Sequence, residues 1–101
     1  MTGESLEKAL RERLERYFAL TGKALEKVRP SPPGRSFLKK GADDFLAMAR
    51  SYFEDAKHFQ QENDLPRALA AVTYAHGWID AGVRLGLLDG GDDDQTFTQY
   101  S

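Results

Sequence analysis

The sequence predicts an all-α protein: a single three-helix bundle whose second and third helices form an antiparallel hairpin. Apolar residues recur at helical spacing in three segments, a proline-rich stretch separates the first two segments, and a short turn signal separates the last two. The chain has 101 residues, of which 41% are hydrophobic and 30% are charged, a balance typical of one small folded domain. We expect this domain to span residues 1–88.

The first helix is predicted from about residue 4 to residue 28. Its apolar residues follow one another in steps of four and three, as Leu10, Leu14 and Tyr17 do, and this spacing places them on one face of a helix. Charged residues occupy the other positions, so we expect a surface helix with one buried side. A connector follows over residues 29–35, where three prolines and a glycine prevent a helix from continuing.

The second helix is predicted from about residue 42 to residue 62, although Gly41 leaves open a start nearer Ser36. A tight turn follows, in which Asp64 can cap the third helix and Pro66 can occupy its first turn, where no amide donor is needed. So short a connection predicts that the second and third helices run antiparallel.

The third helix is predicted from about residue 66 to residue 85 and is apolar on two sides. One stripe includes Val72 and Ile79, and a second stripe includes Tyr74 and Trp78. A helix that is apolar on two sides must be covered on two sides, either by both other helices or by one helix and another subunit. Gly86 is suited to end this helix. Residues 89–101 show no apolar period, and we expect an acidic, flexible tail.

Composition restricts the chemistry and the compartment. The chain contains no cysteine, which excludes disulfides, thiolate metal ligands and cysteine nucleophiles. We find neither a membrane-spanning segment nor the pattern of a secretory signal, and we expect the protein to be cytoplasmic. The net charge of −2 is unevenly distributed, at +4 over residues 1–50 and −6 over residues 51–101. Such an uneven distribution of charge can favour self-association, but the acidic tail accounts for part of the negative charge.

Two segments of the chain are distinctive: Tyr52-Phe53-Glu54-Asp55-Ala56-Lys57-His58-Phe59 and Tyr74-Ala75-His76-Gly77-Trp78-Ile79-Asp80-Ala81-Gly82. Together with Asp64 and Ala68 they resemble an archaeal family that has only a serial name, domain of unknown function 357. The resemblance covers roughly residues 38 to 88. It implies a small archaeal three-helix bundle and no established activity.

Most candidate interaction or ligand residues lie on the third helix, and the full set is Asp55, Tyr74, His76, Trp78, Asp80 and Arg84. Tyr74 and Trp78 are four residues apart, a spacing that favours core packing but is also typical of an aromatic protein interface. His76 falls on an apolar stripe and is predicted to be a core or boundary histidine. Asp80 lies on the narrow polar strip and is predicted to form a surface ion pair with Arg84.

Some of these residues have the spacing of metal ligands, but we predict neither a metal site nor a cofactor. His76 and Asp80 are four residues apart, and Asp55 and His58 are three apart. In the predicted hairpin His58 and Asp80 are separated by roughly 16 Å along the helix axis, so all four residues cannot share one ion. Asp55 could still approach His76. An alternative function is therefore a small enzyme or a metal- or nucleotide-binding domain that uses Asp55, His76 and Asp80.

A weaker alternative is RNA binding through five cationic residues around the connector: Lys27, Arg29, Arg35, Lys39 and Lys40. Five charges could neutralise phosphates, but the chain is acidic as a whole, and we expect these side chains to be solvated. The leading prediction is a non-catalytic protein-interaction or assembly module. Its partner is a second copy of the chain or another protein, and a homodimer would form through the Trp78 side of the third helix or through the first helix. Neither a membrane nor a nucleic-acid partner is predicted.

Overall fold

The computed structural model describes residues 3–31 and 37–90 of the chain. These residues form three helices and two very short strands: α1 (Gly3–Lys27), β1 (Arg29–Pro30), α2 (Phe37–Gln61), α3 (Leu65–Arg84) and β2 (Leu88–Asp89). α2 and α3 pack along each other as an antiparallel hairpin, and α1 packs mainly on α3. The predicted all-α three-helix bundle is confirmed. None of the helices in these two ranges has the length and apolar character needed to cross a membrane.

α3 is the central helix of the bundle. It has eight buried residues, against three in α1 and four in α2, because both other helices pack on it. The stripe that includes Val72 and Ile79 is therefore covered from within the chain, whereas the second stripe is covered only in part, because Tyr74 is exposed. The core is divided into two apolar clusters along the bundle axis. Leu14 and Val72 belong to the cluster near the α2–α3 turn, and Ala24 and Ile79 belong to the cluster near the strands.

The turn between α2 and α3 ends one helix and begins the next within three residues. Asn63 adopts a left-handed backbone with φ 59°, which allows the amide of Asp64 to donate to the carbonyl of Phe59 at 2.9 Å. The carboxylate of Asp64 then accepts the amide of Arg67 at 3.2 Å and caps α3, as predicted. Pro66 occupies the first turn of α3, also as predicted.

The end of α3 is fixed by Gly86, which has a φ of +79°. The amide of Gly86 donates to the carbonyl of Val83 at 3.1 Å, and the amide of Leu87 donates to the carbonyl of Gly82 at 2.9 Å. This pair of hydrogen bonds is the Schellman arrangement, which a residue without a Cβ adopts at little cost. It turns the chain back so that Leu88 packs against α3.

A two-stranded antiparallel ribbon joins the end of α1 to the segment after α3. Arg29 pairs with Asp89 and Pro30 pairs with Leu88, and the amide of Ser31 extends the ribbon by donating to the carbonyl of Leu87 at 2.9 Å. We predicted no strand, so the ribbon is a correction. It places the first two residues of the predicted connector and the first residue of the predicted tail, Asp89, in ordered structure. Residues 32–35 of the connector and 91–101 of the tail lie outside the described residues.

The start of α2 lies next to Ser36, the earlier of the two starts that the sequence left open, and the later start at residue 42 is wrong. The helix begins at Phe37, five residues before the predicted start at residue 42, and it continues through Gly41. A Cβ built at Gly41 would lie 3.9 Å from Cδ1 of Leu87, so the helix is covered at this point by the chain that leaves α3. Tertiary packing therefore compensates for the roughly 1 kcal/mol by which glycine is a poorer helix former than alanine.

Candidate functional site

Two grooves flank α3, one on each side. The groove between α1 and α3, which we call the basic groove, has a volume of about 850 Å³ and is lined by Arg13, Arg16, Tyr17, Ala19, Leu20, Lys23, Thr73, His76, Gly77 and Asp80. The groove between α2 and α3, which we call the aromatic groove, has a volume of about 620 Å³ and is lined by Tyr52, Asp55, Phe59, Arg67, Ala70, Ala71, Thr73 and Tyr74. Thr73 lines both grooves and therefore marks the ridge between them.

Three cationic side chains of α1 line the basic groove. The spacing along α1 is three, four and three residues between Arg13, Arg16, Leu20 and Lys23. This spacing places all four residues on one side of the helix. Within residues 3–31 and 37–90, no ion pair involves Arg13 or Arg16. Their side chains are exposed. The basic groove therefore concentrates positive charge in a chain whose net charge is −2.

The α3 wall of the basic groove contains a buried histidine. His76 is 6% exposed, and its Nδ1 lies 3.2 Å from the hydroxyl oxygen of Thr21, which is fully buried. Its Nε2 is buried and has no hydrogen-bond partner among the described residues. Burial lowers the pKa of His76 below its usual 6.5, and the nearby Asp80 carboxylate raises it in part, so the imidazole is neutral at pH 7. The predicted core or boundary position of His76 is confirmed.

Asp80 lies one helical turn beyond His76 on the same wall. Its Oδ2 accepts the Nε of Arg84 at 3.1 Å, which is the predicted ion pair, but its side chain is only 21% exposed. Its Oδ1 is buried and has no partner in the described part of the chain. An acceptor without a partner is unusual in a buried position. Nε2 of His76 and Oδ1 of Asp80 thus leave two polar atoms unused beside the basic groove.

The aromatic groove exposes a large apolar side chain. Tyr74 is 54% exposed, and its ring packs edge-on against Tyr52 with the centroids 4.5 Å apart. Asp55 lies on the α2 side of the groove and Arg67 on the α3 side. The guanidinium of Arg67 lies 5.8 Å from the centre of the Phe59 ring, and its Nε lies 3.4 Å from Asp64. Asp55 is exposed and makes no ion pair within the described ranges.

Trp78 supports the exposed aromatic pair from within the bundle. It packs against the second core cluster and contacts Phe45 edge-on with the ring centroids 5.0 Å apart, while the Tyr74 ring lies 6.2 Å away on its other side. Its indole Nε1 is buried without a hydrogen-bond partner among the described residues. The two aromatic residues of the predicted pair therefore differ: Trp78 is mostly core, whereas Tyr74 faces solvent.

The three residues of the alternative site do not come together. Asp55 lines the aromatic groove, whereas His76 and Asp80 line the basic groove on the other side of α3. In the ranges 3–31 and 37–90, no group of three His, Cys, Asp or Glu residues is placed to hold a metal ion. His58 is exposed and lies beside Glu62, with 3.4 Å between Nε2 and Oε2. Asp55 and His76 are therefore separated by α3.

Two of the cationic residues around the connector, Arg29 and Lys39, form local hydrogen bonds. Arg29 donates to the carbonyls of Glu26 and Val28 at 3.1 and 2.9 Å, which caps the end of α1. Lys39 donates to both carboxylate oxygens of Asp43 at 2.8 Å. Arg35 lies outside the described residues, and Lys27 and Lys40 are exposed. The positive surface that adjoins a groove is thus on α1 and not at the connector.

A comparison with protein families extends the resemblance seen in the sequence. The family model described as "Protein of unknown function (DUF357)" matches residues 16–88, more than half of the chain. The chain belongs to the DUF357 family. The matched range contains all of α2 and α3 and the second half of α1, and it includes every residue that lines the two grooves except Arg13. Neither the comparison with curated proteins nor the comparison with solved structures found a significant match.

Sequence reasoning missed the α1 side of the basic groove in this DUF357 protein. Arg13, Arg16 and Lys23 were interpreted only as part of the solvated face of an amphipathic helix. Their spacing contained the relevant signal, because positions three, seven and ten residues after Arg13 share its side of the helix. The spacing does not show that α1 lies beside the polar strip of α3, which depends on tertiary packing.

Proposed function

We propose that the protein is a non-catalytic interaction module that forms a homodimer through the aromatic groove. The single observation that carries this proposal is the exposure of Tyr74, at 54%, in a groove that also contains Tyr52 and Phe59. Tyrosine and phenylalanine are enriched at protein interfaces because they bury a large apolar area at low conformational cost. The absence of cysteine suits a reducing compartment, and we propose that the module acts in the cytoplasm.

Charge complementarity favours a second copy of the chain as the occupant of the groove. Asp55 is on one helix and Arg67 is on the other, so the groove has one carboxylate and one guanidinium on its two sides. A two-fold axis places the same surface on both subunits and can bring each carboxylate close to the guanidinium of the other copy. The proposed interface is therefore self-complementary in charge.

Charge reversal tests this arrangement directly. Sedimentation equilibrium would be measured for the native chain, Asp55→Arg, Arg67→Asp and the double variant, with Asp44→Arg on an exposed position of α2 as the matched control. Each single reversal sets like charges against each other and should weaken dimerisation by about tenfold or more. The double variant restores opposite charges and should recover the native dissociation constant to within about threefold. The control should dimerise like the native chain.

Two outcomes would contradict the proposal. A native chain that stays monomeric at the highest soluble concentration would show that a second copy is not the partner, and a different protein would then have to occupy the groove. A dimer that is insensitive to both single reversals and to Tyr74→Ala would show that the copies meet on another surface. Circular dichroism would verify that each variant keeps the helical content of the native chain.

A further inference from the structure

The ribbon lies at one end of the basic groove. Its strand β1 follows α1, and its strand β2 packs against α3, so the ribbon joins the two helices that form the groove. Arg29 pairs with Asp89 in antiparallel register, and this register brings Gly90 level with Val28, the first residue after α1. Gly90 is the last residue that the structure describes. The segment that follows it therefore starts at the C-terminal end of α1.

That segment is acidic, whereas the α1 side of the groove is basic. Asp92, Asp93 and Asp94 are consecutive in the sequence and lie outside the described residues. Adjacent carboxylates repel one another, and cations placed beside them offset this repulsion. Arg16 lines the groove, is exposed and forms no ion pair in the described part of the chain. The acidic segment and the groove are therefore complementary in charge.

The lengths of the segment and of the basic side of α1 also match. At 1.5 Å per residue along the helix, Lys23 lies about 9 Å from the ribbon and Arg16 about 20 Å from it. An extended chain advances about 3.3 Å per residue, so Asp92 can reach about 10 Å from the ribbon and Asp94 about 17 Å. An extended segment passes the cations one after another, and no single group has to contact all of them. The three carboxylates can therefore lie between the levels of Lys23 and Arg16.

We propose that the acidic segment, residues 92–94, docks in the basic groove of its own chain. It runs antiparallel to α1, and Arg16 is its principal partner. Asp80 on the α3 wall already accepts Arg84, which offsets the charge of that carboxylate. The short tether to β2 keeps the segment at an effective concentration in the millimolar range, so ion pairs that are weak at a protein surface are sufficient. The docked segment covers the groove, and another polyanion can bind there only by displacing it.

Paramagnetic relaxation enhancement in the full chain tests this docking. The chain contains no cysteine, so Thr96→Cys creates a single attachment point for a nitroxide label, two residues after the acidic segment. The amides of residues 13–23 in α1 and of Gly77 on the α3 wall should relax faster than the amide of Tyr52 in the aromatic groove. Most of this enhancement should disappear in 1 M salt, where the Debye length is about 3 Å.

Neutral substitutions identify the charges that hold the segment. The combined variant Asp92→Asn, Asp93→Asn and Asp94→Asn should lower the docking equilibrium constant by about tenfold, because it removes all three carboxylates. Arg16→Gln removes one partner and should lower the constant by about threefold. Arg50→Gln, at an exposed position of α2 that lines neither groove, is the matched control and should leave it unchanged. Circular dichroism would verify the helical content of each variant.

Four results would overturn the proposal. Enhancement confined to the residues beside the ribbon would show that the segment does not dock, and enhancement centred on α2 would place it on another surface. Enhancement that persists in the neutral variant would show that charge does not hold the segment. Labelled ¹⁴N chain would also be mixed with unlabelled ¹⁵N chain. Strong enhancement on α1 in this mixture would show that the segment binds a neighbouring molecule.

This docking surface is independent of the proposed dimer interface. The basic groove and the aromatic groove lie on opposite sides of α3. Arg16→Gln should therefore leave dimerisation unchanged, and Tyr74→Ala should leave the relaxation enhancement on α1 unchanged. Failure of either proposal can thus be recognised without the other.

Discussion

The substitution Gly82→Ala tests how tightly the chain that leaves α3 is packed against the helix. A Cβ at Gly82 would overlap Cδ1 of Leu88 and would lie 2.7 Å from its Cγ. Leu88 is 2% exposed and is held by its pairing with Pro30, so it has little room to move away. Alanine should gain about 1 kcal/mol of helix propensity over glycine, whereas overpacking costs about 1–3 kcal/mol. We expect a net destabilisation of about 1 kcal/mol.

Gly77→Ala is the matched control in the same helix. A Cβ at Gly77 meets nothing within 4 Å, so the propensity gain of about 1 kcal/mol should appear without an opposing cost. The helix propensity cancels between the two variants, and their free energies of unfolding should differ by about 1–3 kcal/mol. Urea unfolding followed by circular dichroism measures this difference.

In the Leu88→Ala background, the effect of Gly82→Ala on the free energy of unfolding should change sign. Leu88→Ala should cost about 2–5 kcal/mol, because it removes a buried side chain from the core. In that background Gly82→Ala no longer meets Leu88 and should stabilise by about 1 kcal/mol. Equal stabilisation by Gly82→Ala and Gly77→Ala in the native background would refute the reasoning, since it would show that Leu88 moves without cost.

Three further predictions concern the polar positions of the bundle. Thr21→Val removes the hydroxyl that contacts Nδ1 of His76 and should lower the free energy of unfolding by about 1–3 kcal/mol, whereas Thr21→Ser should lose much less; urea unfolding of both variants tests this. Because burial lowers the pKa of folded His76, the unfolded chain binds the proton more readily than the folded chain does. The contribution of neutral His76 to the free energy of unfolding is therefore fully present above pH 6.5 and is lost as the pH falls from 6.5 through the folded pKa. His76→Gln should flatten that pH dependence of unfolding, and His58→Gln should not; the same slope in His76→Gln as in the native chain would contradict the assignment. Asp64→Ala removes the cap of α3 and should cost about 1 kcal/mol in thermal or urea unfolding, and Asp64→Asn should retain most of the stability.

Helix number, hairpin topology and the central position of α3 could all be predicted from the sequence. They follow from periodicity and from local signals that act within a few residues, such as Asp64 at the start of α3 and Gly86 at its end. The sequence could not decide between the two possible starts of α2, because Gly41 weakens a helix locally and only the distant Leu87 shows that the position is covered. The ribbon has two residues on each side, which is too short to produce an alternating pattern.

The candidate sites were predicted less completely than the fold. Tyr74, His76 and Asp80 were identified from their places on α3, but the sequence could not show which residues of the other helices face them. Asp55 was grouped with His76 because hairpin register fixes the axial position of a residue and not the direction of its side chain. The cations of α1 were missed for the related reason that their helix is joined to the hairpin by a connector, which leaves its rotation about its own axis unspecified.

The ribbon also shows which contact of the bundle has to close a long loop. Arg29 and Asp89 are paired across a sequence separation of 60 residues, whereas α2 and α3 are joined by a turn of three. Local closures form at lower entropic cost than distant ones, so the hairpin can assemble first and the ribbon can close only after α1 has docked. The hydrogen bond from the amide of Ser31 to the carbonyl of Leu87 therefore indicates whether the whole of α1 is docked on the hairpin. In native-state hydrogen exchange, the Ser31 amide should exchange with the undocking of α1, while the amides of central α3 remain protected until global unfolding.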